Sequence, residues 1–139
     1  MEDLYKYGNV NELKFEDFTL FKGKGSKKGF GKFSKNNWWN NKPCFIIFYA
    51  PWCQHCKETV DLFERLSSIL FNRVGFCAIN GEDLYHKNDY LCAEADVKLY
   101  PTLLCTIPNK KSKNEEFIYK KWEDELDEDL LLKFIYGNL

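Results

Sequence analysis

Residues 42–57 read KPCFIIFYAPWCQHCK. The run 44–50 is continuously apolar and aromatic, which fits a strand covered on both faces, as in a parallel sheet. Pro51 stops it. A helical pattern follows from Cys56: Val60, Phe63, Leu66 and Leu70 share one face, while Lys57, Glu58, Asp61, Glu64 and Arg65 fall largely elsewhere. Asn72 is the expected stop.

Working outward, 74–79 (VGFCAI) reads as a second buried strand and Asn80-Gly81 as a turn. Residues 82–95 predict a helix, with Leu84, Leu91, Cys92 and Ala95 near one face. A third apolar strand is expected over 103–107, then a turn at Pro108-Asn109. The weakly alternating 115–122 returns as an antiparallel strand. A last helix covers 127–136, with Leu130, Leu131, Phe134 and Ile135 on its apolar side and Gly137 as its stop. A weaker strand at 10–13 and a short helix at 15–21 precede this series. The order from residue 42 is β-α-β-α-β-β-α. It starts as a right-handed parallel crossover and ends as a hairpin covered by a helix.

The chain has 139 residues and a mass of 16.5 kDa, the length of one domain able to bury its own core. Apolar residues make up 45% and aromatics 17%, which excludes a mainly disordered chain. Twenty basic residues against 21 acidic ones leave a net charge of −1, so nothing draws the whole molecule to nucleic acid or an anionic membrane. No run of 18 apolar residues predicts a membrane span. The start, MEDLYKYGN, is not expected to act as a signal peptide, and the end, FIYGNL, carries no retention tetrapeptide.

Two segments stand apart in composition. Residues 22–37 (KGKGSKKGFGKFSKNN) hold six lysines and four glycines without an acid, and read as a flexible, solvated Lys/Gly-rich loop. The sharper alternative is a contact for an acidic partner or membrane surface. The stretch 123–129 holds six acids in seven residues and predicts a negatively charged start to the last helix.

Six cysteines lie at 44, 53, 56, 77, 92 and 105, of which only Cys53 and Cys56 are close. A domain of this size does not need a disulfide framework, so spacing says more than the even count. A thiolate, not a thiol, attacks a disulfide. Cys53 falls at or just before the first helical turn, where unpaired N–H groups direct positive potential at it. Cys56, three residues on, comes to the same side of the helix start. One sulfur can attack and the other can resolve the mixed disulfide. His55 and Lys57 add local positive charge, and an imidazolium between the cysteines favours the thiolate. Stabilising the reduced pair makes it a stronger oxidant, which points to disulfide donation or shuffling.

The segment APWCQHCK resembles the APWCGHCK active site of the protein disulfide isomerase family, which has a thioredoxin fold. The strand CFIIFYA is similar to that family's strand, and VKLYPT at 97–102 is similar to its V-x-x-Y-P-T loop, whose proline is cis. The likeness covers residues 42–136. It implies an α/β fold with a mixed central sheet flanked by helices, in a single thioredoxin-like domain over 1–139. It also implies that Cys53 is the nucleophile, Cys56 the resolving thiol and His55 the thiolate stabiliser. Pro101 becomes the cis proline beside the cysteines. The Tyr100 backbone pairs with a substrate strand, and Trp52 offers it an apolar contact. The implied activity is thiol–disulfide exchange on cysteine-containing proteins or peptides, with glutathione or another thiol–disulfide partner and no metal or organic cofactor. The implied compartment is the endoplasmic reticulum lumen or secretory pathway, with the cytoplasm as alternative.

Three positions depart from the family pattern. Ile47 stands where the family has a buried Glu that exchanges protons with the resolving cysteine. Gln54 replaces the glycine of Gly-His. The family's late Arg has no counterpart, because Arg65 and Arg73 lie upstream; Lys120 or Lys121 are the substitutes.

Other readings stay open on sequence alone. The two cysteines could be half a zinc site, completed only by His86 and Cys92 at unsuitable spacing. The domain could be a thioredoxin-like reductase, or a client-binding module with weakened chemistry. Cys44, Cys77 and Cys105 read as buried small hydrophobes, with Cys92 less clearly so. Trp38, Trp39 and Trp122 read as core or rim packing.

Overall fold

The computed structural model describes residues 2–6, 8–22, 28–33, 42–108 and 117–138. The expectations for Trp38, Trp39 and the turn after Pro108 lie outside these residues. The elements are β1 (Asn11–Glu12), β2 (Phe18–Lys22), β3 (Lys28–Phe33), β4 (Cys44–Tyr49), α1 (Gln54–Glu58), α2 (Val60–Ile69), β5 (Gly75–Asn80), α3 (Asn88–Glu94), β6 (Thr102–Pro108), β7 (Phe117–Lys121) and α4 (Glu128–Asn138). One sheet has the order β1-β5-β4-β6-β7, and β2 and β3 form a separate pair.

β4 is the central strand, and all six of its residues are buried. It runs parallel to β5, with Ile47 opposite Ala78, and antiparallel to β6, with Ile47 opposite Leu103. β1 adds to β5 in parallel, with Glu12 opposite Ala78. β7 closes the other edge against β6. Because strand side chains alternate, β4 feeds two cores. Phe45, Ile47 and Tyr49 pack with Phe63 and Leu66 of α2, with Leu70 just past its end, and with Leu131 and Ile135 of α4. Cys44, Ile46 and Phe48 pack on the other face with Leu91 of α3, Ala95 and Leu13. That double coverage is why the 44–50 run carries no polar alternation.

Several expectations need correction. The helix predicted over 15–21 is one 3-10 turn followed by β2. The Asp17 carboxylate accepts the Lys14 N–H at 2.8 Å and closes that turn, so the chain leaves it extended. The Lys/Gly-rich loop expected over 22–37 contains a strand: Leu20 pairs with Phe30 and Lys22 with Lys28, each strand satisfying the other's backbone. The helix expected from Cys56 starts at Gln54 and breaks at Thr59, whose hydroxyl donates to the Cys56 carbonyl at 2.7 Å.

The helix expected over 82–95 is formed only at 88–94. Asn80 Oδ1 accepts the Glu82 N–H and Asp83 Oδ1 the His86 N–H, holding the segment before it in turns. α4 runs through Gly137, which therefore does not stop it. Asn72, at φ 68°, does take the left-handed conformation expected of a stop.

Candidate active site

Cys53 follows Pro51 and Trp52 at the C-terminal end of β4. Its backbone N–H donates to the Ala50 carbonyl at 3.1 Å, which turns the chain sharply from strand into helix. Cys53 is the N-cap of α1: its sulfur accepts the Cys56 backbone N–H at 3.2 Å. A cysteine here takes the place usually held by Ser or Asp, so the unpaired first-turn amide is satisfied by sulfur. Both cysteines are buried, Cys53 at 8% exposure and Cys56 at 1%, so Cys53 is the less deeply covered of the two. Burial, reinforced by the neighbouring Cys53 sulfur, pushes the Cys56 thiol up to about 12. The two residues therefore reach the unlike settings that attack and resolution require.

The second side of the site comes from the segment entering β6. The Tyr100–Pro101 peptide is cis. The Cys53 thiol faces the Tyr100 carbonyl at 3.9 Å. The Tyr100 ring stands edge-on to Trp52 with centroids 6.3 Å apart, and its hydroxyl lies 3.9 Å from the Cys92 sulfur. Trp52 is 59% and Leu99 66% exposed, giving the rim two large apolar side chains. Gly81 makes room for this arrangement, since a Cβ there falls 2.2 Å from the Tyr100 hydroxyl.

The structure thus brings Trp52, Cys53, Cys56, Tyr100 and Pro101 together. His55 is exposed on α1, and no hydrogen bond joins its ring to either sulfur. Burial raises the thiols of Cys44 and Cys105 to about 12 and that of Cys77 well above its ordinary value. These three are packing residues. Among the described residues, no three His, Cys, Asp or Glu side chains converge as a metal site needs. Lys121 is tied to Asp96, through its carbonyl and a carboxylate oxygen at 3.6 Å. The Trp122 indole packs on Phe134 and donates to the Glu125 carbonyl, a rim-packing role.

Ile47 is completely buried, so the carboxylate missing from that position is replaced by hydrocarbon. Two strands over, on β1, lies a feature the sequence did not flag. Glu12 shares a row with Ala78 and Ile47 across the sheet, and its carboxylate accepts hydrogen bonds from the Tyr49 hydroxyl and, at 3.1 Å, the Tyr5 N–H. Burial, helped by nearby Asp3, raises its carboxyl to about 7. A lone Glu in a two-residue strand leaves no sequence signature, because only sheet order sets it in the row of Ala78 and Ile47.

A sequence profile described as Thioredoxin matches residues 26–133. Protein disulfide-isomerase MPD1 of Saccharomyces cerevisiae is 35% identical over 104 residues, which is 73% of this chain and 31% of MPD1. A Schizosaccharomyces pombe protein named thioredoxin domain-containing protein C13F5.05, mitochondrial, is 30% identical over 62% of this chain and 22% of its own length. The chain therefore spans a third or less of these relatives. The crystal structure of the Trx4 domain of ERdj5 superposes with a TM-score of 0.65 at 18% identity, over 94% of this chain and 96% of that one, a likeness of fold. With the profile spanning most of its length and the same fold found in solved structures, this chain belongs to the thioredoxin family.

Proposed function

We propose that the chain is a thiol–disulfide oxidoreductase of the protein disulfide isomerase type, acting on disulfides of protein or peptide substrates through a mixed disulfide on Cys53. The observation that carries this reading is the Cys53 sulfur, set as a helix N-cap on the Cys56 N–H and facing the Tyr100 carbonyl that precedes the cis proline. Cys53 attacks a substrate disulfide. Cys56 then attacks Cys53, forming the internal disulfide and releasing the reduced substrate. The Tyr100 backbone and Pro101 hold the substrate segment as an added strand, with Trp52 against its apolar side chains. His55, exposed on the first turn, meets the sulfur electrostatically as substrate covers the site. Glutathione or a similar thiol resets the pair.

We propose residues 1–139 as one thioredoxin-like domain and the endoplasmic reticulum lumen as its compartment, on the likeness of APWCQHCK to lumenal enzymes. Microscopy of the full-length gene product separates the lumen from the cytoplasm.

Cys53→Ser is expected to abolish reactivation of a scrambled disulfide substrate; retained activity in that variant defeats the proposal. Equilibration in glutathione buffers is expected to return a potential near roughly −180 mV, whereas a value near roughly −270 mV identifies a thioredoxin-like reductase.

A further inference from the structure

The connection from β5 to α3 does more than leave room for Tyr100. Asn80 and residues 82–86 form one wall of an open cleft of about 660 Å³. Its other walls come from the N-terminal segment, from Lys14 just past β1, and from Pro51, two residues ahead of Cys53. A pocket of roughly 300–1,000 Å³ accommodates a ligand the size of a short peptide. The connection also touches the redox site directly. The Gly81 N–H donates to the Tyr49 carbonyl at 2.9 Å, where β4 ends, and a Cβ at Gly81 falls 2.2 Å from the Tyr100 hydroxyl. The cleft and the cysteine site therefore share a border at Pro51 and Gly81.

Charge and exposed apolar surface together define what fits this cleft. Four acids line it against one lysine. Lys14 lies between Asp3 at 3.0 Å and Asp83 at 2.8 Å, and so offsets only one of that pair. Glu2 is paired with Lys6. Glu82 is exposed and makes no ion pair among the described residues. The acidic floor is held in place by a buried side chain: Asn80, 2% exposed, donates through Nδ2 to Asp3 at 3.0 Å. Beside the floor, Tyr85 is 89% and Leu84 65% exposed, and the Tyr85 ring stands edge-on to His86 with centroids 4.9 Å apart. An aromatic face next to unbalanced carboxylates attracts a cation twice over. No three acidic, His or Cys side chains among the described residues converge as a metal ion needs. A cation on an aliphatic stem suits the cleft better, because the stem packs on Leu84 while its charged end meets Glu82 and Tyr85.

We propose that this cleft is a substrate-specificity site, which takes lysine or arginine side chains flanking the reactive cysteine of a protein substrate. The inference rests on the redox reading above and deepens it. A substrate segment laid along the Tyr100 backbone, with its sulfur on Cys53, runs past Pro51 and Gly81 to the mouth of the cleft. An extended chain advances about 3.3 Å per residue, so side chains roughly two to four positions from the cysteine reach it. A basic segment is drawn in and held. An acidic one meets like charge at Glu82 and is turned away, so the site selects by repulsion as well as attraction.

The test is the rate at which the reduced full chain reacts with three short peptide disulfides that differ only in the residues flanking the cysteine: lysine, glutamine or glutamate. Each rate is divided by that of the same peptide with dithiothreitol, which removes the effect of the flanking charges on the leaving thiol. Wild type is expected to favour the lysine peptide over the glutamate peptide about tenfold, with glutamine between, and the ratio is expected to shrink as salt is raised. Glu82→Lys reverses the unpaired charge and is expected to bring the ratio to about twofold or less. Tyr85→Leu keeps apolar bulk but loses the ring, and is expected to slow the lysine peptide several-fold more than the glutamine peptide. Asp124→Lys makes the same change in net charge on the exposed stretch after β7, at the opposite edge of the sheet from β1, and is expected to keep the wild-type ratio.

Equal corrected rates for the lysine and glutamate peptides in the wild type overturn the proposal. So does a ratio that falls as far in Asp124→Lys as in Glu82→Lys, which assigns the preference to the charge of the whole molecule. If Glu82→Lys does not fold, Glu82→Gln decides: the ratio is expected to fall about threefold, and an unmoved ratio overturns the assignment. A wild-type chain that reacts with none of the three peptides defeats the redox reading itself, and the inference with it. One that reacts with all three alike defeats the specificity site alone.

Discussion

Cys53 and Cys56 share a helical turn but not an environment. One caps the helix at its rim and the other is buried under it with its thiol raised. Glu12 carries a comparable consequence for stability. Its carboxyl stands at about 7 instead of its ordinary 4.5, so between those values the folded chain holds a proton that the unfolded chain has released. The unfolded state then binds fewer protons, and stability falls as pH rises across that window. The stability is fully present below 4.5 and lost as pH passes 7. The loss at pH 8 is on the order of 3 kcal/mol at most, since a part of the group stays near solvent. Urea unfolding at about pH 5 and pH 8 measures it. Wild type is expected to lose more stability between the two than Glu12→Gln does; an equal loss in both sinks the account.

At the scale of the element, the two sides of the site are held by different devices. The β4–α1 junction is fixed by short backbone hydrogen bonds around Cys53. The Tyr100 side depends on what the β5–α3 connection leaves open. A side chain at Gly81 falls on the Tyr100 ring, with its nearest carbons at 2.8 Å. Gly81→Ala is therefore expected to push Tyr100 off Trp52 and Cys92 while leaving the sheet intact, because the Gly81 N–H still reaches the Tyr49 carbonyl. The measurable outcome is a several-fold loss of disulfide exchange with a change in Trp52 fluorescence and little change in melting temperature. Full activity with unaltered fluorescence contradicts it. This connection is also where sequence reading overextended a helix. The apolar spacing of Leu84, Leu91 and Ala95 is helical, but Asn80 and Asp83 bond their own backbone first.

Across the whole molecule, a sheet with β4 at its centre separates two cores, and α2 and α4 cover the face that holds the cysteines. Leu66 of α2 is completely buried in that core. Leu66→Ala is expected to cost about 3 kcal/mol through lost burial and an unfilled cavity. Denaturant unfolding checks it, and a cost below ~1 kcal/mol shows the core closing over the gap.

By itself, the sequence determined the order of strands and helices from residue 42, the double burial of β4, and the pairing of a Cys-x-x-Cys helix start with a Tyr-Pro-Thr loop. Each is written in local periodicity or in a motif whose residues do their work within a few positions of one another. Only the tertiary structure decided that β1 lies beside β5, that β3 forms within a lysine- and glycine-rich stretch, and that Glu12, Tyr5 and Tyr49 meet. Those contacts join residues from separate segments through sheet order and burial, and neither quantity exists until the chain has closed on itself.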